Sequence, residues 1–184
     1  FTQVMMGPVA TQTLADYGAD VIKIERPQGD LSRTSFPDPA GPLGPVFCSL
    51  NRNKRSVVLD LSSDQGRDDF RRLAASADIV LEGEDPGVLD AMGIDHTQIR
   101  AARPELIWVS VTPFGHSRAD LHEPTTDLTL LASGGTVWSC GYDDHSIPPI
   151  RPGGGHAHHT ASAFAVMAAL TAVLLDARSR GNHV

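Results

Sequence analysis

The stretch FTQVMMGPVATQTLADYGADVIKIE, residues 1–25, decides the fold. Residues 1–6 are a short, mostly apolar run and read as a buried strand. Pro8 then suits the first turn of a helix, where a missing backbone N–H costs nothing. That helix runs through Tyr17, and Gly18 stops it at the position that favours a left-handed residue. Residues 20–25, DVIKIE, follow as a strand rich in β-branched side chains. Strand, helix and strand in this order make a β-α-β unit, whose crossover is expected to be right-handed.

The same alternation continues along the chain. Residues 27–45 shift to Pro, Gly, Ser and Asp, the composition of a long ordered surface loop of the kind that often carries function. Residues 56–61 (SVVLDL) read as a strand, 64–75 as an amphipathic helix, 78–81 as a strand, 88–92 as a helical turn, 95–102 as a short helix and 107–112 (IWVSVT) as a strand. Strands separated by helices predict a mostly parallel sheet covered on both faces, an α/β doubly wound, Rossmann-like fold. Beyond it the chain changes character. Residues 127–133 are expected to be helical, Gly134 and Gly135 break that helix, and SIPPIRPGGG (146–155) leads into an apolar helix over 158–178.

Bulk properties narrow the function. At 184 residues and 41% hydrophobic, the chain can bury one sizeable core, while two full domains would be a squeeze. A net charge of -7 argues against a nucleic-acid partner, because no basic stripe is present to replace the counterions around phosphates. An anionic ligand must therefore meet local charge, and Lys and Arg cluster at 23–26 and 52–55. Cys48 and Cys140 lie far apart without metal-ligand or disulfide spacing, which fits a reducing, cytoplasmic setting. The longest greasy stretch, residues 161–175, falls short of the roughly 20 residues needed to span a bilayer and reads as a buried helix, so no membrane is expected. Phe1 opens inside an apolar run, and residues 183–184 follow a turn as a strand would, so the chain reads as cut at both ends.

Glu25, the acid ending the second strand, is where a dinucleotide site places a carboxylate on the ribose hydroxyls. The turn before the helix, VMMGPVATQ, holds one glycine rather than the three that let a backbone approach pyrophosphate, which disfavours a nicotinamide or flavin site.

Several longer segments carry a family resemblance. TQVMMGPVATQTLADYGADVIKIERPQGD (2–30), NRNKRSVVLDL (51–61), ADIVLEGEDPGVLDAMGID (77–95), PELIWVSVTPFG (104–115) and LLDARSRGNHV (174–184) resemble, in order and spacing, the landmarks of class III (CaiB/BaiF-type) coenzyme A transferases, the group that includes formyl-CoA and carnitine CoA-transferases. The resemblance implies that residues 1–184 are the N-terminal, Rossmann-like region of such an enzyme, without its smaller domain and C-terminal segments. It implies transfer of coenzyme A between an acyl-CoA and a small carboxylic acid, in an interlocked homodimer, with CoA as substrate and no metal. The CoA nucleotide end is then expected against Val4, Met5 and Met6, with Arg26 and Lys54 meeting its phosphates through charge-assisted hydrogen bonds.

One landmark is missing. In the family a Gly-Asp pair opens the long apolar helix, and the aspartate attacks the thioester to give a mixed anhydride that CoA converts to an aspartyl-CoA thioester. A gapless count back from Leu174 and Leu175 puts His159 at that position, behind GGGHAHH. Imidazole is a competent nucleophile and base. It cannot hold CoA as a thioester, which needs a carbonyl carbon on the enzyme, so the covalent route is closed unless Asp143 or Asp144 reaches the site. The alternative is a catalytically silent CoA-binding or structural half of a tandem transferase whose partner half supplies the aspartate. The racemase branch is disfavoured as well, since Thr126 in PTTDL stands where its histidine would be. His156, His158 and His159, with Asp144 or His145, invite a metal, but they read more simply as polar residues lining a glycine loop at a helix N-terminus. That loop suits an anion or a thioester oxygen, because free N–H groups and the helix dipole point there.

Overall fold

The fold was analysed in a computed structural model. It describes residues 1–35, 43–116, 124–141, 143–144 and 146–175. Helix α1 (Met6–Asp16) leads through Gly18, at φ +100°, into strand β1 (Val21–Glu25). A single 3-10 turn (Leu31–Arg33) and helix α2 (Pro45–Leu50) precede β2 (Lys54–Val58). Then follow α3 (Asp64–Ser76), β3 (Ile79–Glu82), α4 (Val88–Ala91), α5 (His96–Ala102) and β4 (Ile107–Ser110). The last described elements are α6 (Asp127–Ser133), α7 (Thr136–Ser139) and α8 (His156–Leu174). Caps fix several starts: Ser63 Oγ accepts from Gly66 N, Asp95 from Thr97 N and Gln98 N, and Thr126 and Thr129 form a capping box.

The described strands pair in parallel, β1 with β2 from Val21↔Lys54 to Glu25↔Val58, and β3 with β4 from Ile79↔Ile107 to Glu82↔Ser110. They form two two-stranded sheets rather than one continuous sheet. The β3–β4 pair is covered on both faces, as the alternation of apolar residues requires. Val80 and Trp108 point to a core with Phe70 of α3 and Ile99 of α5, whereas Leu81, Ile107 and Val109 point to Ala10 of α1 and Ala165, Ala169 and Ala172 of α8. The second core is built largely of alanines, so α1 and α8 can approach each other and the strands closely.

Residues 1–6 are not the strand expected from their composition. Phe1 does lie along β3, its backbone N donating to Leu81 O (2.7 Å) and its carbonyl accepting from Gly83 N (3.3 Å). Val4, however, adopts φ +63°, which turns the chain out of extended geometry, and Met6 is already helical. Strand β2 begins two residues earlier than expected and ends at Val58, because Asp60 bends the chain by accepting from Ser62 N. Helices α2 and α7 were not legible, being too short for a 3.6-residue period to emerge. α8 starts two residues earlier than expected, and at 19 residues it is long and apolar enough, by length and composition, to cross a membrane. The expected helix end at Arg178, the turn at Arg180, Gly181 and Asn182 and the strand-like 183–184 lie outside the described residues, as do residues 36–42 of the long loop.

Candidate functional site

The N-termini of α1 and α8 meet. Ser162 Oγ, on a residue only 1% exposed, donates to the Met6 carbonyl at 2.6 Å and lies 2.7 Å from the His158 carbonyl. Gly155, the residue before α8, sits at φ +70°, and a side chain there would come 3.0 Å from Met5 Cε. The backbone conformation is what favours glycine here, and the end of the flexible Met5 side chain lies against it. Of the residues expected at the CoA nucleotide, Met5 lies against Gly155 and Met6 bonds to Ser162, with Val4 just before them, so the start of α1 meets the glycine-led start of α8 at a junction termed the mouth.

Buried charge holds the α1 wall in place. Asp30 is 2% exposed and Lys23 6% exposed. Asp30 Oδ2 accepts from Lys23 Nζ at 2.6 Å, while its Oδ1 accepts from Val4 N (3.2 Å), Ser32 N (2.8 Å) and Ser32 Oγ (2.7 Å). Burial alone would raise the Asp30 carboxyl, but hydrogen bonds from Lys23 and Ser32 outweigh it and hold the group below the usual carboxylate range. Lys23 Nζ reaches on to Thr2 O at 3.1 Å.

Arg26, at the end of β1, is partly exposed, donates to Glu84 Oε2 at 2.8 Å and lies over the Phe1 ring at 5.5 Å. Lys54 has other company. Its Nζ donates to Pro8 O and Leu50 O, both at 2.8 Å, and to Asn51 Oδ1 at 3.0 Å. Burial, and after it the Lys23 charge, pushes the ammonium down to about 7. The structure thus ties Lys54 between α1 and the end of α2, with no hydrogen left for a direct phosphate contact in this geometry. Glu25 is likewise committed, taking Arg33 bidentately (2.8 Å to each oxygen), Ser56 Oγ (2.7 Å) and Asp30 N (3.1 Å). Burial would raise its carboxyl, yet those hydrogen bonds bring it down to about 2. Such a group is not free for ribose hydroxyls, which removes the main support for a dinucleotide site.

The α8 wall is open by contrast. His159 is exposed and its backbone N bonds only within the helix, to Gly155 O at 3.1 Å. His158 Nδ1 is buried with no hydrogen-bond partner. The carboxylate at the first turn of α8 is Asp127, not Asp143 or Asp144: its Oδ1 accepts from Ala157 N at 2.9 Å and its Oδ2 pairs with Arg151 at 3.2 Å. Asp144 is exposed and accepts from Ser146 N at 2.9 Å. Sequence reasoning missed Asp127 because 30 residues separate it from the helix it caps. It also passed over Lys23 and Asp30 as members of a charged cluster and a loop. His145 lies outside the described residues. Among the described residues, the group able to bring three ligand atoms within 4.8 Å of one another is Asp90, Asp95 and His96, not the α8 histidines.

Comparison with known proteins bears on what this mouth takes. The chain is 38% identical over 162 residues to succinyl-CoA:mesaconate CoA-transferase of Haloarcula hispanica, covering 84% of this chain and 41% of the relative. It is 35% identical over 153 residues to human succinyl-CoA:glutarate CoA-transferase, covering 83% of this chain and 35% of the relative. Among solved structures, a CAIB/BAIF family protein from Brucella suis superposes with a TM-score of 0.90 at 33% identity, covering 100% of this chain and 50% of that one. The chain therefore spans half or less of the length of these relatives. The description CoA-transferase family III matches residues 1–184 throughout, and the chain belongs to that family.

Proposed function

We propose that this chain supplies the CoA-binding wall of an enzyme that transfers coenzyme A between an acyl-CoA and a carboxylic acid. The observation that carries the reading is the junction of the α1 and α8 starts, where Met5 lies against Gly155 beside the strained Val4, with Arg26 over the ring of Phe1 at the head of the same segment. Arg26 is the direct phosphate contact, since one carboxylate partner and partial exposure leave it able to turn to an anion. Lys54 ties the turn from behind through Pro8 O and Leu50 O rather than making a contact. Titration of the full protein with free CoA tests this. Binding is expected, and Arg26→Ala is expected to weaken it, while unchanged affinity in that variant contradicts the assignment.

A second reading keeps the binding wall and drops the chemistry. It is favoured by His159 standing, exposed, where the family resemblance places the nucleophilic aspartate. Transfer through aspartate runs by attack of a carboxylate oxygen on the thioester, departure of the CoA thiolate, and return of that thiolate to the enzyme carbonyl with release of the first acid. An imidazole could take the acyl group and release the thiolate, but it offers no carbonyl for the thiolate to return to. On this reading the chain is the CoA-binding half of a tandem transferase.

The outer face of α8 supports a partnered molecule. Phe164 (64% exposed), Met167 (52%) and Leu174 (84%) form an apolar stripe that needs a cover. An interlocked homodimer, as the family resemblance implies, would provide one, and this reading takes α8 as a protein-covered helix rather than a membrane span. Two free cysteines, Cys48 exposed and Cys140 half-buried, fit a cytoplasmic protein.

A further inference from the structure

We infer that Asp30, backed by Lys23, is a positioning residue that holds the first turn of α1 in the one backbone shape able to receive CoA. The inference rests on the reading that this turn takes the ligand. Val4, a β-branched residue at φ +63°, is held against its own steric preference, so something must impose that conformation.

The imposing group is the carboxylate of Asp30. Its Oδ1 receives the Val4 N–H, and the carboxylate is fixed there by Ser32 N and Oγ on the same oxygen and by Lys23 Nζ on the other. Lys23 closes the frame by bonding Thr2 O, so the backbone on both sides of Gln3 is tied to one buried ion pair. A pair of apolar side chains would fill this space at less cost in desolvation. What apolar groups could not do is accept the N–H of a residue turned the wrong way. The consequence travels along the mouth: Val4 sets Met5, Met5 lies against Gly155, and Met6 O receives Ser162 of α8. The clamp thus aligns both walls, although neither Asp30 nor Lys23, being buried, can touch the ligand itself.

The test compares CoA affinity of the full protein with Asp30→Asn, Arg26→Ala and the double variant Asp30→Asn with Val4→Gly, each well below its melting temperature. Asparagine turns an N–H toward Lys23, which displaces the group that Lys23 holds in place and slackens its grip on Val4 N, so CoA should bind about tenfold more weakly, the effect of losing one charge-assisted hydrogen bond. Glycine adopts φ +63° without strain, so adding Val4→Gly should restore affinity to within about threefold of the parent. Restoration is the readout that mere loss of stability would not give. If Arg26→Ala weakens CoA binding and Asp30→Asn does not, the positioning role is overturned while the CoA site stands. If neither weakens it, the CoA reading of the mouth fails. Weakening that Val4→Gly does not repair also overturns the inference, because the clamp would not be acting through Val4. Should Asp30→Asn fail to fold, Ser32→Ala replaces it, with binding about threefold weaker and repaired by Val4→Gly, and an unmoved affinity again overturning the role.

Discussion

The two helix starts that meet at the mouth share one device, a buried carboxylate that accepts a backbone N–H (Asp30 from Val4 N, Asp127 from Ala157 N), and differ in the backbone that leads into the helix. At α1 the polar groups behind the turn are partnered, down to a buried carboxylate that accepts from Val4 N. At α8 the turn is made of left-handed glycines, Gly154 at φ +96° and Gly155 at φ +70°, followed by an exposed His159 and a His158 whose Nδ1 has no partner. The α1 turn is pinned from behind by buried hydrogen bonds. The α8 turn offers glycine backbone and a helix dipole, and the carboxylate there, Asp127, is already engaged by Ala157 N and Arg151.

If the α1 turn is rigid because of buried charge, removing half of the pair should be the most damaging change. Lys23→Met leaves Asp30 buried without its counter-ion and is expected to cost about 3–5 kcal/mol of stability in denaturant unfolding. A loss under 1 kcal/mol would mean that water reaches the pair and that the α1 wall is no more fixed than the α8 wall.

Acid should soften the α1 side next. Glu25 is held near 2 against an ordinary value of 4.5, so its stabilising contribution is complete above the ordinary value and is lost as pH falls toward 2. The stability difference between parent and Glu25→Gln should shrink by roughly 2–3 kcal/mol across that window, allowing for solvent around the partly exposed Arg33. Unfolding curves at a series of pH values check the sign, and a difference that grows on acidification contradicts the pairing.

Arg26→Ala should weaken CoA binding by about 1.5–3 kcal/mol, read by calorimetric titration, because it removes a charge-assisted hydrogen bond and leaves the clamp intact. The smallest effect is expected on the α8 side. Gly155→Ala puts a side chain at φ +70° and against Met5, and should cost about 1–2 kcal/mol in thermal or denaturant unfolding.

The difference between the two turns also explains what could be read from the amino acids alone. The helices α1, α3 and α5 and the strands β1, β3 and β4 were legible, since Pro8, Gly18 and the alternation through Ile107 and Trp108 act locally. The glycine loop before α8 was legible for the same reason. The strand expected at residues 1–6 was not correct, because one hydrogen bond from Val4 N to Asp30, 26 residues away, decides that backbone. Lys54 looked like a free cation in sequence, yet its ammonium ends among the carbonyls of Pro8 and Leu50. Asp127 was invisible as the cap of α8 on the same grounds. Local chemistry could be read and long-range hydrogen bonds could not.

Intact mass measurement of the full protein after incubation with an acyl-CoA, alongside His159→Asp, addresses most directly whether the α8 turn can hold CoA. With His159 in place no mass increase corresponding to enzyme-bound CoA is expected, while His159→Asp, with a carboxylate at the helix N-terminus, should gain one that hydroxylamine removes. A hydroxylamine-sensitive CoA adduct on the unaltered α8 protein would contradict the account, and peptide mapping would then identify the carboxylate that serves, with Asp127 the first to replace.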